Sequence, residues 1–71
     1  MYATSLRKAP HTRRFSIHRL APSGWEVIDE NDDGIVRRAI YHDWHRVERA
    51  IAIFEREEAV LREAGWVKAP A

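Results

Sequence analysis

Two histidines three residues apart, His42 and His45, bracket an Asp and a Trp in the stretch YHDWH, and they come closest to a metal-binding pattern in this chain. A protein-held zinc needs at least three side chains supplying imidazole, thiolate or carboxylate donors. The chain has no cysteine, so thiolate sites are excluded. Asp43 is better used as a helix cap, and His11 lies far off in the sequence. Paired histidines also ligate best from one continuous helical face, four residues apart, whereas His42 reads as a strand end and His45 as the first turn of a helix. No metal and no cofactor is expected. The acidic run through Asp29, Asp32 and Asp33 lacks the twelve-residue spacing and closing Glu of an EF-hand.

A second combination is His18, Glu26 and Tyr41, three side chains capable of acid and base work. The strand register derived below puts them in a row on the uncovered face of a sheet. Polar residues belong on such a face in any case, and no nucleophile, phosphate loop or carboxylate pair accompanies them, so the chain is read as non-enzymatic.

The third candidate is electrostatic. The net charge is only +1, yet residues 1–24 carry Arg7, Lys8, Arg13, Arg14 and Arg19 with no acid, and residues 25–36 carry five acids with no base. The first fourteen residues show no clear period and read as a flexible basic arm, which gives an alternative reading as a nucleic-acid-binding accessory protein. Arg7, Lys8, Arg13 and Arg14 would track phosphates. Against this, Glu26 and Glu30 on the open face would repel them.

The elements that position these residues follow from the pattern. RFSIHRL alternates as a strand with one covered face, the Pro22, Ser23, Gly24 cluster turns the chain, and WEVIDE forms the second strand. Asp33-Gly34 suits a two-residue type I′ turn. That tip sets Asp29 opposite Arg38, Glu30 opposite Arg37, Val27 opposite Ile40 and Trp25 opposite His42, pairing opposite charges across the strands. Phe15, Ile17, Trp25, Val27 and Ile40 then face the helix. Asp43 caps a helix from Trp44 to Ala64. Gly65 and Trp66 end it as C′ and C″ of a Schellman motif, with Leu61 at C3.

The expected fold is therefore α+β: a three-stranded antiparallel β-meander packed on one long C-terminal helix, with an arm over 1–14, a domain over 15–67 and a tail over 68–71. The helix stripe of Trp44, Val47, Ala50, Ile51, Phe54 and Leu61 is broad. About 21 helical residues span roughly 32 Å, whereas strands of about seven residues span ~23 Å, so the helix overhangs its sheet. Val60, Leu61, Ala64 and Trp66 at the far end need a cover, and a second copy related by a two-fold axis is the expected one. The alternative is a monomer closed by Trp66 and Val67. No apolar run is long enough for a membrane span and no secretory leader is evident, so a cytoplasmic protein-interaction or assembly module is expected, with self-association and an unnamed protein partner.

Overall fold

Leu6 is the only large aliphatic residue in the first fourteen, and it is 1% exposed. Its burial explains why the expected arm is a strand instead. The structure, a computed structural model, describes residues 2–70. It comprises β1 (Tyr2–Lys8), β2 (His11–Arg19), β3 (Trp25–Asn31), β4 (Gly34–Tyr41), α1 (Trp44–Glu63) and β5 (Val67–Ala69). The fold is α+β with one antiparallel sheet and one helix, but the sheet has five strands, in the order β4-β3-β2-β1-β5, instead of three. Tyr2, Thr4 and Leu6 pair with Ile17, Phe15 and Arg13. Directly paired residues share a face, so one side of β1 joins the helix-facing layer. The tail also becomes a strand, with Ser5 to Arg7 pairing Ala69 to Val67.

The β2–β3 turn is as expected: Arg19 pairs Trp25 and His18 pairs Glu26, so Phe15, Ile17, Trp25 and Val27 share the helix side. The β3–β4 hairpin departs by one residue. Asp32 and Asp33 form the tip, both with negative φ, while Gly34 alone adopts φ +122° and pairs with Asn31. A type I′ turn would need positive φ at Asp33. Instead the Asn31 side chain accepts from the Asp33 N–H at 2.8 Å, an Asx turn that favours the negative-φ tip, and glycine takes the position after it. A second irregularity between Asp29 and Glu30 leaves Asp29 opposite Arg37, Val27 opposite Ala39 and Trp25 opposite Tyr41. Ala39 and Tyr41, not Ile40, therefore face the helix.

The helix ends match their sequence signals. Asp43 Oδ1 accepts from the His45 N–H at 3.0 Å. At the other end Trp66 N–H donates to Leu61 O at 3.0 Å and Gly65 N–H to Arg62 O at 3.1 Å, with Gly65 at φ +99°, the two bonds of a Schellman motif. Lys8 Nζ adds a 2.7 Å bond to the terminal Ala64 carbonyl, a cation at the negative end of the helix dipole.

Leu6, Phe15, Ile17, Val27, Val47 and Phe54 form the core, with the Phe15 and Phe54 rings 4.7 Å apart. Tyr2 stacks on Phe54 from β1 at 6.1 Å, and Leu61 and Trp66 pack against the same cluster. The overhang that motivated a second copy is thus met within the chain, because β1 and β5 widen the sheet beneath the distal half of α1. Among the described residues no helix is long and apolar enough to cross a membrane.

Candidate functional site

The sheet has two edges of different character. β5 is three residues long, carries Lys68, which pairs with Glu58 at 3.4 Å, and is followed by Pro70. Short length, charge and proline all blunt an edge against further pairing. β4 is eight residues long and exposes Ile35, Val36 and Ile40 to 57%, 49% and 49%. Such an edge offers a row of unpaired backbone donors and acceptors beside apolar side chains.

A groove of about 660 Å³ runs between β4 and α1. Val27, Ala39, Ala50, Ile53 and Phe54 contribute apolar lining, and Arg37, Arg38, Arg46 and Arg49 contribute four cations against one acid, Asp29. The four are not equivalent. Asp29, 1% exposed, accepts from Arg13 Nε at 2.8 Å, Arg13 Nη2 at 2.9 Å and Arg37 Nη2 at 3.3 Å. Glu57 on α1 accepts from the same two guanidiniums at 3.2 Å each. Arg13 also lies 5.1 Å from the Phe15 ring centre, within cation–π range. This clamp ties β2, β3, β4 and α1 together at one end of the groove. Burial raises the Asp29 carboxyl, but the Arg13 and Arg37 guanidiniums outweigh it and hold it below the usual carboxylate range; the bond to Asp29 raises Arg13.

Arg38 is neutralised on the opposite face, where Glu26 accepts from Arg38 Nε and from His18 Nε2, the latter at 2.7 Å. Burial pushes Glu26 up, yet bonds from Arg38 and His18 bring its pKa below the ordinary value. Arg46 and Arg49 have no acidic partner among the described residues, and both are exposed. They sit three residues apart on α1, with Ile53 four further on, which places all three along one helical face.

The structure brings His18 and Glu26 together but not Tyr41. The one-residue change in register puts Ile40 opposite Glu26 and turns Tyr41 to the helix side, half-buried against the core. What remains is a carboxylate shared by a histidine and an arginine, which ties β2, β3 and β4 together on the open face. The four basic residues of the expected arm are dispersed by strand alternation. Lys8 and Arg13 face α1, where each is engaged as described, while Arg14 lies opposite Glu30 and Arg7 opposite Thr12 on the open side.

His42 and His45 do not converge with a third ligand; no group of three metal-ligating side chains occurs among the described residues. A Cβ on Gly24 would meet His42 Nδ1 at 3.0 Å, so that imidazole lies over the β2–β3 turn, and His45 Nδ1 is 3.9 Å from Glu48. The distal helix residues are also split. Val60 is 61% exposed and Ala64 points outward, but Leu61 and Trp66 are partly buried against the core.

Sequence reasoning missed the groove and the clamp. Arg46, Arg49 and Ile53 do form a helical series, but the stripe beside them reads as core. The clamp unites residues from four elements. No family model matches the chain, and no curated protein or solved structure matches it.

Proposed function

We propose that this chain is a non-enzymatic protein-interaction module that receives an extended segment of a partner along the β4 edge. One observation carries the reading: the sheet blunts its β5 edge yet leaves the eight-residue β4 edge long, apolar and bordered by an open groove. Strand addition draws affinity from main-chain hydrogen bonds and specificity from pockets for alternate side chains, and β4 offers both. Arginine on an edge strand ordinarily guards it. Here Arg37 and Arg38 are turned back on Asp29, Glu57 and Glu26, which weakens that guard.

Self-association through Val60, Leu61, Ala64 and Trp66 has less support, since two of the four already serve the core. A nucleic-acid reading has lost the mobile basic track on which it stood, because those residues are strand positions. The test is site-specific photocrosslinking in the native cell, with the photoreactive residue at Val36 and, as control, at Val67 on the blunted edge. Protein adducts at Val36 that disappear in an Ile35→Lys, Ile40→Lys background are expected. Equal adducts at both positions, or adducts removed by nuclease, refute the reading.

A further inference from the structure

We infer that the segment received at β4 is acidic and aliphatic on its helix-facing side, with a carboxylate two residues from a branched apolar side chain. The inference rests on the strand-addition reading and concerns the chemistry of the occupant.

The groove is graded along its length. α1 follows β4 through a two-residue connection, His42 and Asp43, and crosses the sheet toward β5 and β1, where Glu58 meets Lys68 and the Ala64 carbonyl accepts from Lys8, so its first turns lie near the Tyr41 end of β4 and the Glu57 turn near the Arg37 end. The contact of Glu57 with Arg37 fixes that direction. Arg46 and Arg49 therefore stand at the Tyr41 end, and Ile53 lies on α1 between them and the Arg37–Glu57 clamp, with Val36 next to Arg37 on the strand. Arg49 and Ile53 are separated by four residues of helix, about 6 Å along the axis. Alternate residues of a strand are about 6.6–6.8 Å apart. A strand added to β4 thus presents one side chain at the level of Ile53 and the next on that face at the level of Arg49.

Charge then selects among side chains. Arg37 and Arg38 are already paired, so an incoming carboxylate finds its unsatisfied cations at Arg46 and Arg49. A lysine there would meet two uncompensated positive charges, a repulsive element that discriminates as effectively as the attraction does. The same argument disfavours a second copy of this chain. Full antiparallel pairing of two β4 strands, Gly34–Tyr41 against Gly34–Tyr41, centres on Arg37 and Arg38 of both. β4 contains no acid, so such pairing supplies no carboxylate to Arg46 or Arg49.

The experiment uses the full chain, isotopically labelled, and three capped eight-residue peptides matched to the length of β4. The first has Val and Glu alternating on one face and Thr on the other; the second replaces Glu by Lys; the third keeps Glu but carries N-methyl groups on alternate amides. Binding is read from shifts of the β4 backbone amides in about 0.15 M salt. The Glu peptide is expected to bind and the Lys and N-methyl peptides to fail. Arg46→Glu with Arg49→Glu should leave the melting temperature unchanged, weaken the Glu peptide by about tenfold and let the Lys peptide bind. Equal binding of Glu and Lys peptides, with N-methylation still blocking, overturns the acidic selection and leaves strand addition standing. If no peptide shifts the β4 amides, both readings fall. If those amides shift with protein concentration alone, the occupant is a second copy and the inference is overturned.

Discussion

Asp29→Asn tests the clamp that closes the groove, because it keeps the shape of the side chain and removes its charge. The wild-type carboxylate accepts a two-point contact from Arg13 at 2.8 and 2.9 Å and a longer one from Arg37 at 3.3 Å. Asparagine has one acceptor oxygen, and its amide N–H groups would confront guanidinium N–H groups. Loss of the Arg13 pairing costs about 2–3 kcal/mol for charge-assisted bonds at a buried acceptor. The Arg37 bond adds about 0–1 kcal/mol, since that side chain is more than half exposed. Glu57 stays within 3.2 Å of both arginines, so neither cation is stranded and the total stays near 3 kcal/mol, at the low end for breaking a buried pair. A chain of 71 residues has about 4–11 kcal/mol of stability at ordinary values per residue, so a large share is lost. The melting temperature should fall by about 12–24 °C, measured at pH 7 by circular dichroism and by tryptophan fluorescence in urea. The pH dependence has a definite sign. Asp29 has a depressed pKa in the folded state, so its contribution is present above about pH 4, the ordinary aspartate range, and disappears as pH falls through the depressed value. The difference between wild type and Asp29→Asn should be constant from about pH 7 to 5 and shrink below about pH 4. Glu26 and Asp32 are depressed as well, but they are common to both proteins and cancel. A destabilisation below about 1 kcal/mol at pH 7, or one that persists undiminished in acid, refutes the clamp.

Leu6→Ala should cost about 2–5 kcal/mol in urea unfolding, and removing residues 2–8 should abolish cooperative melting, since β1 lies between β2 and β5; a truncated chain that melts like the parent would restore the free arm. Asp43→Ala should cost about 1 kcal/mol through loss of the cap, seen as a parallel shift of the urea curve. Gly65→Ala, at φ +99°, should cost about 1–2 kcal/mol for a side chain forced into positive φ, and an unchanged melting temperature there would argue against the Schellman ending.

The features legible in the sequence were those coded locally. Asp43, Gly65 and Trp66 mark both ends of α1 because capping depends on neighbours within a few residues, and the short Leu20–Gly24 loop left β2 and β3 only one sensible register. The β3–β4 tip was placed one residue late because Gly34 serves equally well inside a type I′ turn or just after a negative-φ tip, and the Asn31 side chain, not the glycine, decides between them. The tip shift alone preserves the faces; the bulge between Asp29 and Glu30 turned Tyr41 off the open face and separated it from His18 and Glu26. β1 and β5 escaped notice for a different reason. Leu6 and Val67 are each too isolated to make a pattern; β1 pairs along its whole length with the neighbouring β2 without an apolar alternation to announce it, and β5 depends on a partner at the other end of the chain. The clamp was hidden likewise, because Asp29 reads as one acid in a solvated hairpin until Arg13 arrives from a segment that had no evident reason to be ordered.

The pairing of β1 with β5 also governs how the domain bears load. Ser5 opposes Ala69, Leu6 opposes Lys68 and Arg7 opposes Val67, so the strands lead out toward Tyr2 and Pro70 side by side at the same end of an antiparallel ladder. Tension applied between those two points opens the β1–β5 hydrogen bonds one after another, as a zipper opens, instead of shearing them all at once. With three residue pairs in that ladder, β5 would peel away at low force. Once it has left, the pull reaches β1, whose own pairing with β2 is then loaded lengthwise.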